Sequence, residues 1–392
     1  MLNVSEIERK DCTGCGYCQN VCPKKAITMS TDEYGFIFPS VSSDKCIDCG
    51  VCIRECPYGK AYKMIKPLET YACVRKNKKR LLSSSSGGAF SGIAEEVLDR
   101  GGWYVTGCIL DAHLHPVQII TNNLKQLTKV YGSKYVQSDM GDIYKQVSDK
   151  LDSGSKVLFS GTPCQCNAMK QYTNNNPDLY TIEIICHGVS SEKMFKSYIS
   201  TLTKNKRIKH FAFRDKSQGW TFNNKITFEN GKTKKINHRL SSYMTYYLDG
   251  DIYRDSCYSC KFAKEERCAD VTIGDFWGIL SRRSDLKKYI NIEQGVSCLL
   301  VNTEKGRELI RCDELELFPV DYADIRAGNG PLNSPSMWSK RRDDVMRIWK
   351  EDNHWEDVNQ YWKVNDYRIS YSIWSKLPGK IQHLIRVLLG KR

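Results

Sequence analysis

Two cysteine runs constrain this chain before anything else does. Cys12, Cys15, Cys18 and Cys22 stand in "CTGCGYCQNVCPKKAI", and Cys46, Cys49, Cys52 and Cys56 stand in "CIDCGVCIRECPYGKA", offset by 34 residues. Each run is C-x2-C-x2-C-x3-C closed by a proline, Pro23 or Pro57. Two-residue gaps let three thiolates converge on one face of a cubane, and the fourth points away toward the other repeat. The spacing assigns Cys12, Cys15, Cys18 and Cys56 to one [4Fe–4S] cluster, and Cys46, Cys49, Cys52 and Cys22 to a second. Zinc also takes CxxC pairs, but it rarely uses two tandem four-cysteine runs each closed by proline. Residues 1–66 therefore read as a tandem [4Fe–4S] ferredoxin-type domain.

At 392 residues the chain has room for two or three domains. No apolar run approaches the roughly 20 residues that span a bilayer, and "MLNVSEIERKD" has no apolar signal core. Cytoplasm is the expected compartment. There, 18 cysteines are ligands or buried thiols in preference to a disulfide framework. The net charge of +14 lies outside residues 1–66, which hold nine Lys/Arg against eight Asp/Glu. Such a surplus suits an anionic cofactor, an acidic redox partner or anionic lipid. Nucleic acid is not expected, because the basic stretches at 204–209 and 232–239 carry no recognised nucleic-acid motif.

Beyond residue 66 the lysine-rich stretch "CVRKNKKRLLSSSSGG" (73–88) reads as a linker into a second domain. "GAFSGIAEEVLDRG" has helical apolar spacing, "WYVTGCIL" is a strand, and helix and strand alternate as far as "EKMFKSYISTLTK". That alternation argues for a mostly parallel, layered sheet. A β-hairpin is marked by "ENGK" within 207–237. The fold class expected is α+β, with a ferredoxin-like domain followed by a layered α/β body (67–330) and an added hairpin region. Residues 331–392 read as a C-terminal extension whose last stretch, "GKIQHLIRVLLGKR", is a basic amphipathic helix. Such a helix docks on its own domain or a partner, or makes peripheral contact with an anionic membrane.

The later cysteines divide. Cys164 in "FSGTPCQC" and Cys186 in "EIICHG" follow two strands, and such strand ends share one edge of a parallel sheet, where ligands bind. Cys257 and Cys260 in "CYSCKFA" could complete a third four-cysteine site. Cys268 could replace Cys164 or Cys186 in a local C-x2-C-x7-C run, and the same residues could hold zinc. Cys73, Cys108, Cys166, Cys298 and Cys312 are single and read as buried thiols. "SSSSGGAF" (83–90) precedes a helix, so its backbone N–H groups could meet phosphate oxygens; a flexible linker is the competing reading. "YGSKYVQS" (131–138) offers a second contact to a nucleotide-like cofactor, although no GxGxxG run follows a strand.

Taken together, the tandem runs, "SSSSGGAFSGIAEEVL", "YGSKYVQS", "GTPCQ", "ICHGV" and "CYSCKFA…ADVTIGDFWG" resemble the family of coenzyme F420 hydrogenase/dehydrogenase beta subunits over roughly residues 10–320. The resemblance implies an iron–sulfur flavoprotein oxidoreductase: FAD in the body domain, a third [4Fe–4S] cluster near it, and hydride exchange with a small acceptor. That acceptor is deazaflavin coenzyme F420 in methanogens and differs elsewhere. Shorter members similar to this chain occur in bacterial surface-polysaccharide gene clusters. By resemblance Ser85, Ser86, Gly87 and Gly88 form the flavin-phosphate loop, and Lys134, Tyr135 and Ser138 the second cofactor segment. Cys164, Cys186, Cys257 and Cys260 match the body's recurrent cysteines, and His187 is a candidate proton donor or a structural histidine. Ferredoxin or another low-potential donor would supply single electrons. The alternative is a non-catalytic electron-transfer protein that docks on a partner enzyme.

Overall fold

The computed structural model describes residues 3–60, 63–377 and 381. The 34-residue repeat becomes structural pseudo-symmetry. Gly16 (φ 74°) and Gly50 (φ 69°), equivalent in the repeat, each lead in left-handed conformation into a short helix, Tyr17–Val21 or Val51–Arg54. Glycine is the residue that takes this turn without a Cβ penalty. Between the helices, β1 (Ile27–Thr31) and β2 (Ile37–Val41) pair antiparallel, with Ile27 opposite Val41.

Eight strands form the central sheet of the body: β3 (Glu69–Arg75), β4 (Trp103–Leu110), β5 (Pro116–Thr121), β6 (Lys156–Gly161), β7 (Leu179–Ile184), and three that follow a separate three-stranded sheet. That smaller sheet is β8 (Ile208–Ala212), β9 (Asn224–Phe228) and β10 (Thr233–Ile236), and it contains the hairpin expected at "ENGK". The large sheet closes with β11 (Val271–Asp275), β12 (Ser297–Val301) and β13 (Leu315–Pro319), in the order β13-β3-β12-β11-β7-β6-β4-β5.

Only β4, β6, β7 and β11 run parallel; β5 on one side and β12, β3 and β13 on the other are antiparallel to their neighbours. The sheet is therefore mixed, and the mostly parallel expectation holds for its centre alone. The stretch read as a linker is corrected too. Cys73–Arg75 end β3, and Lys78–Ser83 is a helix capped by the Asn77 side chain. Arg75 disguised the strand: its guanidinium is buried against Glu95, so its charge marks a buried ion pair and no exposed linker.

Helices cover both faces. Leu158 packs with Ile93, Ala94 and Val97 of the helix Ala89–Asp99, whereas its neighbours Val157 and Phe159 pack with Tyr144, Val147 and Met169 on the opposite face. Period-two alternation along β6 produces that division. A second core joins the helices Glu192–Thr203 and Ser242–Leu248 to the small sheet. Within the stretch read as an extension, Lys340–Asp352 and Trp355–Asn365 bring Trp349, Trp355 and Trp362 into this core. The basic helix read at the chain's end lies outside the described residues, apart from Ile381. Among the described residues, no helix is long and apolar enough to cross a membrane.

The ferredoxin-like unit is seated on the body through buried polar contacts. Arg254 Nε donates to the Cys12 carbonyl at 2.6 Å, Gln137 Nε2 to the Thr13 carbonyl at 3.0 Å, and the Tyr144 hydroxyl to the Cys15 carbonyl at 2.8 Å. Asn167 holds the Pro57 carbonyl at 2.9 Å. Gly14 must be glycine here, because a Cβ would stand 2.6 Å from Gln137 Nε2 and 2.8 Å from the Ile37 carbonyl.

Candidate functional site

The four parallel strands all end at one edge of the sheet, and the functional residues of the body collect there. Cys12, Cys15, Cys18 and Cys56 line one cavity of the ferredoxin-like unit. Cys22, Cys46, Cys49 and Cys52 line a second, and Cys52 also reaches the wall of the first. Burial pushes the Cys15 thiol up to about 12, with Cys56 and Cys164 adding to the rise. A set of buried thiols that the protein alone keeps protonated fits a metal cluster, whose iron stabilises the thiolates. Backbone N–H groups already point at sulfur, as from Ala26 to Cys22 Sγ at 3.3 Å.

A third cavity gathers Cys164, Cys186, Cys257 and Cys260, together with Thr13, Arg254 and Arg267. Cys164 sits in the first turn of the helix Pro163–Tyr172, where Gln165 Oε1 accepts from the Thr162 N–H at 3.0 Å. Cys186 follows the end of β7, and Cys257 closes the short turn Asp255–Cys257. Burial raises the Cys186 thiol well above its usual range, and Cys257, Cys164 and Cys260 reinforce the rise. Cys268 does not join them. It is buried behind the cavity, with its thiol 2.9 Å from Glu183 Oε2 and 3.3 Å from the Pro163 carbonyl. Cys73, Cys166, Cys298 and Cys312 are buried, as read from the sequence. Cys108 is the exception: it is half-buried and lines the cleft described next.

The cleft has a volume of about 630 Å³ and shares Cys164, Cys186 and His187 with the third cavity. Cys15 also lines it, so the inner ferredoxin set and the third set face the same space. Of the residues expected to hold a cofactor, Ser85, Ser86, Gly88, Lys134, Tyr135 and Ser138 line this cleft. The two segments touch: the Ser133 N–H donates to Ser85 Oγ at 2.6 Å. Gly88, at φ 83°, leads into the helix Ala89–Asp99, so the N-terminal N–H groups of that helix open on the cleft. This is the geometry that favours a phosphate.

Two residues do something other than contact a ligand. Gly87 is absent from the cleft wall, and a Cβ on it would lie 2.1 Å from the Cys73 carbonyl and 2.4 Å from the Ser297 N–H. It lets the loop press onto the sheet. The Lys134 ammonium donates to the carbonyls of Lys129, Val130 and Tyr131 at 3.3, 2.6 and 3.1 Å, satisfying the end of the helix Leu124–Val130. Its three donors are therefore engaged by the protein, and the ammonium serves the cleft as a nearby charge.

Sequence reading missed the opposite wall. Phe222 and Trp277 lie 5.1 Å apart, Trp220 stacks on Trp277 at 4.7 Å, and Tyr135 meets Tyr247 at 4.9 Å. Arg214, wholly buried, pairs with Asp275 at 3.0 Å, donates to the Tyr135 hydroxyl at 3.0 Å, and lies over the Phe222 ring at 4.4 Å. Asp275, left without a role in the sequence, thus anchors the arginine that organises the wall. A signal did exist, since Trp220 and Phe222 stand close in "GWTF", but nothing in that run says which surface it faces.

His238 on the same wall supplies a pH test. Burial, with Arg239 and Arg214 nearby, lowers its imidazole to about 4. Between that value and the unfolded value of about 6.5, the unfolded chain binds a proton that the native chain does not. Stability is therefore lost as pH falls from about 6.5 toward 4. At pH 5.5 the loss is about 1 kcal/mol. A H238Q variant should lose less Tm than its parent between pH 7 and 5.5 in a thermal melt; equal losses would remove His238 as the cause.

Comparison with known proteins gives two matches to family models. Residues 154–321 match the C-terminal part of the coenzyme F420 hydrogenase/dehydrogenase beta subunit, and residues 11–60 match a 4Fe–4S dicluster domain. The chain belongs to the family of coenzyme F420 hydrogenase/dehydrogenase beta subunits. Within that family it is similar to a subunit of the F420H2 dehydrogenase of Methanosarcina mazei, at 20% identity over 78% of this chain and 89% of the relative. It is also similar to the coenzyme F420-dependent sulfite reductase of Methanocaldococcus jannaschii, at 23% identity over 78% of this chain. The match spans only 46% of that reductase's length. The F420-reducing [NiFe] hydrogenase complex from Methanosarcina barkeri contains a chain that aligns at 15% identity and a TM-score of 0.46, over 73% of this chain and 93% of that one. The protein is an iron–sulfur oxidoreductase of the α+β class with a ferredoxin-type N-terminal domain.

Proposed function

We propose that this chain is an FAD-dependent oxidoreductase in which single electrons cross three [4Fe–4S] clusters to a flavin in the cleft and leave as a hydride on a small acceptor. The observation that carries this reading is the shared wall: Cys164, Cys186 and His187 border both the third cysteine cavity and the cleft. Bound FAD would supply the conversion between one-electron and hydride chemistry. The Ser85–Gly88 loop and the helix N-terminus behind it would hold the pyrophosphate, steadied by Ser133. The cysteine sets would be those the cavities gather: Cys12, Cys15, Cys18 and Cys56; Cys22, Cys46, Cys49 and Cys52; Cys164, Cys186, Cys257 and Cys260.

The wall of Phe222, Trp277 and Tyr247 suits a planar conjugated acceptor, since aromatic faces stack on flat rings. Coenzyme F420 is one such molecule, and another reducible small molecule fits the same description. His187, whose imidazole burial keeps neutral, would orient the acceptor and exchange a proton with it. The donor, a ferredoxin or similar low-potential carrier, would dock where Cys49 and Ile47 are exposed at the outer cysteine set.

Anaerobic purification with iron, acid-labile sulfide and flavin assays tests the reading. About twelve irons and about one FAD per chain are expected. About eight irons without flavin would overturn it in favour of a non-catalytic electron carrier.

A further inference from the structure

Behind the third cysteine cavity lies an ion pair that neither electron relay nor flavin binding uses directly. Glu183 on β7 is completely buried, and its carboxylate accepts from Arg267 Nε, from the Thr272 hydroxyl at 2.8 Å and from the Cys268 thiol at 2.9 Å. Arg267 is buried as well and reaches the other way: Nη1 donates to the carbonyls of Phe262 and Lys264, each at 3.0 Å. Those carbonyls belong to the loop that leaves Cys260. The N–H groups of Phe262 and Ala263, in the same loop, point at the Cys260 sulfur. The backbone of Arg267 is fixed in turn by two hydrogen bonds with Ile65, at 2.8 and 3.0 Å.

Only one end of the pair faces the cysteines. Arg267 lines their cavity and Glu183 does not. A buried pair of this kind gains little stability over apolar side chains of similar volume, so its charge asymmetry calls for a use. We propose that Glu183 and Arg267 are positioning residues for the third cluster: they hold the Cys257–Cys260 loop in place, and the arginine cation, masked from behind by the glutamate, sets the potential of that cluster. This rests on the reading that the cavity holds a cluster. Reduction makes a cluster more negative, so a cation in its wall favours the reduced form, and the low dielectric of the interior strengthens the effect.

The test is a potentiometric titration of the anaerobic holoprotein, followed by electron paramagnetic resonance, on the parent, E183Q, R267M and the double variant. E183Q keeps the shape and unmasks the arginine, so the midpoint of the third cluster should move upward. R267M removes the nearer charge, so its midpoint should move downward. The double variant, which leaves no buried unpaired ion and guards against a single variant failing to fold, should fall between R267M and the parent. Loosening of the loop alone would not shift the two single variants in opposite directions. Midpoints that do not move, or that move the same way in both, overturn the proposal. A parent with only about eight irons would sink the cluster reading itself, a different result from about twelve irons with unshifted midpoints.

Discussion

Serine at both Cys257 and Cys260 should remove about four irons per chain and leave the spectrum of the N-terminal clusters in place. Two of the four sulfurs of the third cavity would go, while both ferredoxin cavities keep all of theirs. Acceptor reduction should fall by more than the roughly 10–100-fold that follows loss of an outer partner of a metal ligand. The reduction of the ferredoxin-type clusters by a chemical donor should stay unchanged. A C268S variant is the matched control, since Cys268 lies outside the cavity with its thiol directed at Glu183. It should retain the parent's iron. If C268S loses four irons and the double serine variant keeps them, the ligand set is the local C-x2-C-x7-C alternative.

The second large effect is expected from a single methyl group. Gly87 is not in the left-handed region, so G87A meets no backbone strain, only the Cys73 carbonyl and the Ser297 N–H in its way. Both are backbone atoms of the central sheet and cannot swing aside as a side-chain tip would. The Ser84–Gly88 loop would have to lift, at a cost of about 1–3 kcal/mol. Because Ser85 and Ser86 are anchored to Ser133 and the Val296 carbonyl, lifting breaks the cofactor loop's own moorings. Flavin retained after desalting should drop severalfold, with a lowered Tm. Alanine at Gly101, whose Cβ direction is open, should leave flavin content at the parent's level. Full flavin retention by G87A would mean that the loop is not the phosphate site.

Features written in short runs were legible in the sequence. Ligand spacing is local, so the two ferredoxin sets could be assigned from residues 12–56, and Cys164 and Cys186 could be placed together because parallel strands end on one side of a sheet. What was not legible depends on distant partners. Cys268 looked like a ligand until Glu183, 85 residues away, took its thiol. Lys134 looked like a phosphate contact until three carbonyls of the preceding helix end took its ammonium. The aromatic wall needs the small sheet to fold against the large one, and no periodicity announces that meeting. The antiparallel side of the sheet escaped notice because β3 ends in a basic residue, and composition does not distinguish a buried, paired arginine from a solvated one.

Arg254 gives the biogenesis of this protein a physical constraint. Its side chain grips the Cys12 carbonyl and Gln137, its own N–H is tied to Val189 at 2.9 Å, and three residues later the chain reaches Cys257. One side chain therefore spans the seam between the inner ferredoxin set and the third set. Filling either cysteine set with iron would order the backbone that Arg254 grips, and so prepare the other set for loading. Maturation by this route is cooperative across domains. A chain starved of iron would leave the seam unfastened and open to proteases, so a cell's supply of clusters would govern how much of this polypeptide survives.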